Sequence, residues 1–149
     1  MLIDPVALGA RFRAIANEPR YFEAMGDFGY LDGGCRIYAE ALLAALGPEA
    51  SAVYVVGITR DDEGTAVVHH VAVAYAGHCF DADGAVPVEE YLARYARLEP
   101  DLPERFALRL CSAAEVARDP VYAAGARSLP MNRHLSAELA AAFRASIVR

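Results

Sequence analysis

A run of short apolar segments between turn-forming residues, in the middle of the chain, restricts the fold more than any other feature of the sequence. Residues 52–58 and 67–75 are apolar and rich in β-branched side chains, and the acidic segment 60–64 separates them. Gly-His at 77–78 and Asp-Gly at 83–84 supply two further turns. Short strands joined by tight turns pair with their neighbours in antiparallel order. The sequence therefore predicts an antiparallel β-meander.

Helical patterns flank these strands on both sides. Asp4-Pro5 is a helix start signal, and the pattern that follows predicts a helix to Ala16. A second helix is predicted from Cys35 to Leu46, where Gly-Pro ends it. Further predicted elements are a helix after Pro87, a strand at 106–110, a capping box at 112–115 and an alanine-rich helix at 136–148. We expect one α+β domain spanning 1–149.

Composition and charge exclude several classes of partner. The chain has 149 residues, a hydrophobic fraction of 56% and a net charge of −6, with its fourteen basic residues, all arginine, scattered among twenty acids. Nucleic-acid binding needs clustered positive charge, so we expect no nucleic-acid partner. No apolar run approaches the ~20 residues that span a bilayer, and the start lacks a signal-like leader. We therefore expect a cytoplasmic protein with no membrane partner, of unknown oligomeric state.

The three cysteines, Cys35, Cys79 and Cys111, are widely spaced and include no Cys-X-X-Cys pair. This spacing predicts neither a disulfide framework nor a zinc knuckle, and leaves at least one free thiol. His78 and Cys79 are adjacent on a predicted strand and point to opposite faces, which disfavours a metal site shared with Cys35. We expect no metal or cofactor.

Gly33-Gly34-Cys35 places a thiol in the first turn of a predicted helix. Unpaired amides and the helix dipole favour the thiolate there, which suits a nucleophile. The glycines allow an incoming carbonyl to approach the backbone, and the Cys35 amide points towards the oxyanion that forms. The alternative is that Cys35 is a small apolar residue on a buried stripe with Ala39 and Leu42.

A thiol nucleophile needs an imidazole base and a group that orients it. A two-residue or four-residue reversal at 77–78 places His70 and Asp81 on one face of a hairpin, together with Ala72. A three-residue turn would instead pair His69 with Asp81, and the shorter turn favours His70. The face of His70 is lined with alanines, which predicts that the cysteine helix packs there.

These residues resemble the papain-like superfamily in its small bacterial forms, which are the cell-wall cysteine endopeptidases and transglutaminase-like proteins. The resemblance covers about residues 28–86 and rests on Gly33-Gly34-Cys35, His70-Val71-Ala72-Val73 and Phe80-Asp81-Ala82-Asp83-Gly84. It implies a papain-like fold, with the helix that starts at Cys35 packed on the meander. It also implies a Cys35 nucleophile, a His70 general base and an orienting Asp81, acting on a peptide or amide-containing substrate.

The chain departs from papain in lacking the glutamine that completes the oxyanion hole. Tyr30 or the backbone amides near Gly34 would have to complete the oxyanion hole in its place, and we expect Tyr30, Gly33 and Gly34 to bind substrate. The irregular segments 26–34 and 121–133 are expected to border the cleft. The function predicted is cleavage or transfer at an amide or ester bond through a thioester intermediate. The alternative is an inactive domain of the same fold that serves in binding or assembly.

Overall fold

The computed structural model describes residues 3–26, 29–30 and 33–148. Over these residues the chain forms eight helices and a five-stranded antiparallel sheet, which confirms the predicted α+β class. The helices are α1 (Pro5–Ala16), α2 (Pro19–Ala24), α3 (Cys35–Leu46), α4 (Val88–Leu98), α5 (Asp101–Arg105), α6 (Ala113–Arg118), α7 (Pro120–Ser128) and α8 (Arg133–Ile147). The strands are β1 (Ser51–Thr59), β2 (Ala66–Tyr75), β3 (His78–Asp81), β4 (Gly84–Pro87) and β5 (Phe106–Ser112). The strand order is β4-β3-β2-β1-β5, so β1 to β4 form the predicted meander.

The turn between β2 and β3 decides which side chains share a face. The strand register leaves two residues, Ala76 and Gly77, in the reversal. Both have positive φ, 50° and 76°, as in a type I′ turn, whose twist suits a tight hairpin. This confirms the shorter of the predicted reversals. His70 and Asp81 consequently lie on the same face of the sheet, as expected.

The main core lies on one face of the sheet, which we call the helical-core face. Val71, Val73 and Phe80 point to this face and pack against α1, α3 and α8. Their buried partners on those helices include Leu8, Phe12, Leu42, Leu139 and Phe143. Helices α1 and α3 therefore cover this side of the strands, and α8 packs against both of them.

A smaller core lies on the opposite face, which we call the alanine face and which carries His70, Ala72 and Asp81. Here Ala72 and Cys79 pack against Tyr91 and Tyr95 of α4. The small side chains of the strands leave room for the two large tyrosine rings. The alanine face is therefore covered by α4.

This arrangement corrects one prediction from the sequence. The helix that starts at Cys35, α3, packs on the helical-core face and not on the alanine face. The physical reason is the area that each face can bury. The larger apolar side chains Val71, Val73 and Phe80 gain more from contact with a long apolar helix than alanines do.

A β-bulge interrupts β2 next to the predicted base. Val55 pairs with His70 and the next residue, Val56, pairs with Val68, so His69 is an extra residue on β2. A bulge bends its strand and redirects the neighbouring side chains. Bulges are frequent beside active sites for this reason.

The segment 121–133, predicted to be irregular, is mostly helical, and that prediction is wrong. Asp119 caps α7 by accepting from two amides of its first turn. Asn132 caps the last helix, which therefore begins at Arg133 and not at Ser136. Residues 27, 28, 31 and 32 of the predicted loop 26–34 lie outside the described residues. None of the helices in the described part of the chain has the length and apolar character needed to cross a bilayer.

Candidate active site

Cys35 is the first residue of α3, as the sequence predicts, and its side chain is 4% exposed. Two backbone amides donate to its sulfur, that of Arg36 in the same helical turn and that of Val71 on β2. The β3 strand ends before this part of β2, so the Val71 amide is available to the sulfur.

Gly34 allows the helix to begin in this crowded place. A Cβ at Gly34 would overlap the Met25 Cε atom and would lie 2.9 Å from the Gly29 carbonyl oxygen. A larger residue would therefore displace the first turn of the helix. From the sequence, Gly34 is expected to let a substrate carbonyl approach the backbone. In the structure, Gly34 is required because Met25 and Gly29 pack closely against it.

The Cys35 side chain is also hydrogen-bonded with the His70 side chain. Burial raises the pKa of the Cys35 thiol, but the hydrogen bond and charge of His70 and the two backbone amides outweigh it. The net effect is a pKa below the usual value for a thiol. A lowered pKa raises the fraction of thiolate at any given pH.

His70 lies between the thiol and the acid. Its Nε2 atom is 3.5 Å from Oδ2 of Asp81, which is longer than an ordinary N–H···O hydrogen bond but close enough for a strong charge interaction. The other ring nitrogen, Nδ1, is the one left for Cys35. Tyr95 of α4 stacks on the imidazole, with ring centroids 5.0 Å apart and 24° between the planes. The His70 ring is 1% exposed, and its neighbours are Cys35, Asp81 and Tyr95.

The charges of this group favour an ion pair. Burial lowers the pKa of His70, but Asp81 and Cys35 raise it more, to about 9. Burial raises the pKa of Asp81, but His70, Arg94 and Tyr91 lower it below its usual value. The directions of these three pKa shifts favour the charged forms of all three groups, a thiolate, an imidazolium and a carboxylate.

Helix α4 supplies residues of the site that the sequence analysis missed. The Tyr91 hydroxyl donates to Oδ2 of Asp81 at 2.7 Å, and Nη2 of Arg94 donates to Oδ1 at 2.7 Å. Tyr91, Arg94 and Tyr95 lie three and four residues apart, so they share one helix face. The sequence spacing indicates burial of the two tyrosines, and the arginine between them is the signal that this face meets an acid.

The thiol and the imidazole reach each other from opposite faces of the sheet. Cys35 belongs to the helical-core face, whereas His70 and Asp81 belong to the alanine face. They meet at the part of β2 that extends beyond the end of β3, beside the bulge. The structure thus brings Cys35, His70 and Asp81 together, although the cysteine helix lies on the face opposite to the predicted one.

His69, the rival base, lies in different surroundings. Its ring packs edge-on against Phe106, with centroids 4.4 Å apart. A Cβ at Gly57 of β1 would lie 2.8 Å from its Nε2 atom, so the absence of a side chain at Gly57 makes room for the ring. Burial and the charge of Arg105 lower the pKa of His69, which keeps the ring neutral at pH 7. His69 is therefore a packing residue of β2.

The three predicted substrate-binding residues lie in different surroundings, Tyr30 in the main core and the two glycines just before α3. Tyr30 is buried in the main core, with its ring edge-on to Tyr38 at 5.4 Å, and burial, with Tyr21 nearby, raises its pKa to about 12. Gly33 and Gly34 line a depression of about 170 Å³. On the other side of α3, a cavity of about 100 Å³ is lined by Arg36, Glu40, Tyr54, Val71, Arg127 and Leu129, among others.

All three cysteines carry free thiols and are buried, and Cys79 packs against Tyr91 and Tyr95 on the alanine face. In residues 3–26, 29–30 and 33–148, no three His, Cys, Asp or Glu side chains are close enough to hold a metal ion together. Comparisons with protein-family models, with curated proteins and with solved structures found no match for this chain.

Proposed function

We propose that this chain is a papain-like cysteine hydrolase or acyltransferase that acts on an amide or ester bond. Cys35 is the nucleophile, His70 the general base and acid, and Asp81 the group that orients His70. The observation that carries the proposal is the contact of a helix-start thiol with an imidazole that in turn lies 3.5 Å from a buried carboxylate.

The chemistry follows from the charges of the three groups. The Cys35 thiolate attacks the carbonyl carbon, and the His70 imidazolium protonates the leaving amine or alkoxide. A thioester then links the acyl group to Cys35. Water or an amine attacks this thioester while His70 accepts its proton, which releases the product and regenerates the thiolate.

Alkylation by iodoacetamide, mapped by peptide mass spectrometry, tests the proposal because it measures thiolate directly. We expect the alkylation rate of Cys35 in the native protein to rise at a lower pH than in denatured protein, where it rises around a pKa of about 8.5, because the pKa of Cys35 is lowered in the folded state. Cys79 is an internal control, since burial, with the Asp81 charge, raises its pKa to about 11. Cys111 is a second control, because burial raises its pKa too.

A pair of adjacent histidines gives a matched comparison. We expect His70→Asn to slow Cys35 alkylation at pH 7 by at least about tenfold, because the thiolate loses its imidazolium partner. We expect His69→Asn to change the rate by less than about twofold. Equal effects of the two substitutions, or a wild-type rate no faster than that of the denatured chain, would contradict the proposal.

One observation favours the second candidate, an inactive domain of this fold used for binding or assembly. Cys35 is 4% exposed and His70 is 1% exposed, so the reactive atoms have little contact with solvent. Under this second function, iodoacetamide leaves Cys35 unmodified in the native protein and modifies it only after unfolding. The alkylation experiment therefore separates the two functions.

A further inference from the structure

The cavity of about 100 Å³ on the helical-core face lies beside the first turns of α3, and its lining includes Arg36, which follows Cys35, and Ala39, one helical turn further on. Two of its lining residues, Arg36 and Val71, are the residues whose amides donate to the Cys35 sulfur. Arg36 follows Cys35 on α3 and Val71 follows His70 on β2, so the cavity lies close to this pair of residues.

Arg36 fixes one wall of this cavity. Its Nη1 atom donates to the carbonyl oxygens of Arg127 at 3.0 Å and Leu129 at 3.2 Å, which ties the end of α7 to the start of α3. The size of the cavity is therefore set by hydrogen bonds between elements distant in sequence. At about 100 Å³ it is smaller than the cavity of about 150 Å³ that holds one benzene molecule in another protein.

Tyr54 is the lining residue suited to contact a carbonyl oxygen. It pairs with Val71 across β1 and β2, so its half-buried side chain lies on the same face, next to the residue that binds the sulfur. Glu40 also lines the cavity, but a carboxylate repels a developing oxyanion. Burial and the Glu40 charge raise the pKa of Tyr54, so its hydroxyl stays protonated and can donate.

We infer that the cavity binds a short acyl group and that the Tyr54 hydroxyl donates a hydrogen bond to the carbonyl oxygen of that group when Cys35 attacks. This inference rests on the proposed function, because it needs a reactive thiolate. It provides a side-chain donor in a chain that has no glutamine. Tyr54 then stabilises negative charge that develops on the oxygen during the attack.

The step balances without any further reactant when the acyl donor is p-nitrophenyl acetate. The Cys35 thiolate forms a bond to the acetyl carbon, and the bond from that carbon to the phenolic oxygen breaks. The nitrophenolate leaves with the electron pair and absorbs visible light. Acylation removes the thiolate charge, so the His70 imidazolium then releases its proton to bulk water. The neutral imidazole accepts a proton from the water that hydrolyses the thioester to acetate, which regenerates the thiolate and the imidazolium.

Two probes separate the role of Tyr54 from that of the thiolate. Acylation by p-nitrophenyl acetate forms an oxyanion, whereas alkylation by iodoacetamide displaces iodide at a saturated carbon and forms none. We expect Tyr54→Phe to slow acylation of Cys35 by at least about tenfold and to change alkylation by less than about twofold. Tyr75→Phe, which alters a tyrosine on β2 outside this cavity, is the matched control and should change neither rate.

The size of the cavity gives a second measurement on the wild-type protein. We expect p-nitrophenyl octanoate to acylate Cys35 at least about tenfold more slowly than the acetate, because an eight-carbon chain exceeds the space. Equal rates for the two esters would overturn the assignment of a short acyl group.

The remaining outcomes distinguish failure of the inference from failure of the proposed function. An unchanged acylation rate in Tyr54→Phe overturns the inference, and so does an equal slowing of acylation and alkylation, which would place Tyr54 at the thiolate. Rapid alkylation without any acylation in the wild type overturns the inference and leaves the activated thiol in place. A wild-type Cys35 that reacts with neither probe overturns the proposed function and, with it, the inference.

Discussion

Replacement of Asp81 by asparagine tests the central charge of the site. The side chain keeps its shape, but the negative charge is lost and one acceptor oxygen becomes a donor. Arg94 and His70 then lose their counter-charge while they stay 11% and 1% exposed. The hydroxyl of Tyr91 and the backbone amide of Asp83 also bond to this carboxylate, at 2.7 and 2.8 Å.

The size of the expected loss in the free energy of unfolding follows from the burial of Arg94 and His70. Removing one member of a buried ion pair costs about 3–5 kcal/mol, because the other charge stays buried without a partner. Arg94 keeps some contact with water, which reduces the cost. We therefore expect Asp81→Asn to lower the free energy of unfolding at pH 7 by about 3 kcal/mol.

The loss should depend on pH in a defined direction. Because the pKa of Asp81 is lowered in the folded state, its contribution is present above about pH 4 and disappears as the pH falls through the folded pKa. The pKa of His70 is raised from 6.5 to about 9, so its contribution is full below pH 6.5 and disappears as the pH rises through about 9. The difference in stability between wild type and variant should therefore be largest between about pH 4 and pH 6.5 and should decline as the pH rises through about 9.

Urea unfolding from about pH 3 to pH 10 measures this difference. Asp83→Asn is the matched control, since Asp83 is partly exposed and its ion pair with Arg13 is 3.8 Å long. We expect the control to cost less than about 1 kcal/mol. A similar loss for both variants, or a loss in Asp81→Asn that does not vary with pH, would refute the reasoning.

Three further substitutions test the packing around the site by urea unfolding. Ala76→Asn should stabilise the protein by about 0.5 kcal/mol, because asparagine adopts positive φ more readily than alanine in this turn, and a loss of stability would contradict the turn assignment. Gly57→Ala should destabilise it by about 1–3 kcal/mol, because the added methyl meets the His69 ring, and adding His69→Ala should restore part of that loss. Tyr91→Phe should cost about 1–2 kcal/mol by removing a buried donor to Asp81, and no change in stability would argue against that hydrogen bond.

The features that follow from local signals could be predicted from the sequence. Asp4-Pro5 and the glycines around Cys35 to Leu46 mark helix ends, and α1 and α3 begin and end where these signals lie. The two-residue turn fixes the hairpin register, so the shared face of His70 and Asp81 also follows from the sequence. The papain-like assignment and the catalytic roles stay predictions.

The features that depend on contacts distant in sequence could not be predicted. The face of the sheet that α3 covers depends on the apolar area that α1, α8 and the strands bury together. No single segment of the sequence contains this information. The bulge at His69 leaves no distinctive residue pattern. Arg94 becomes part of the site only because α4 folds back over β3. In contrast, Asp119 and Asn132 are local cap signals that mark the starts of α7 and α8 in the sequence itself.

Cys35 and His70 belong to two separate layers, so the reactivity of the Cys35 thiol depends on the relative position of those layers. The layer of α3 and the layer of α4 touch different sides of β2, so a small shift of either one changes the separation of sulfur and imidazole. A substitution far from both atoms can therefore weaken the nucleophile without altering any group that ionises. The reactivity of the Cys35 thiol therefore reports how precisely α3 and α4 pack against the two sides of β2.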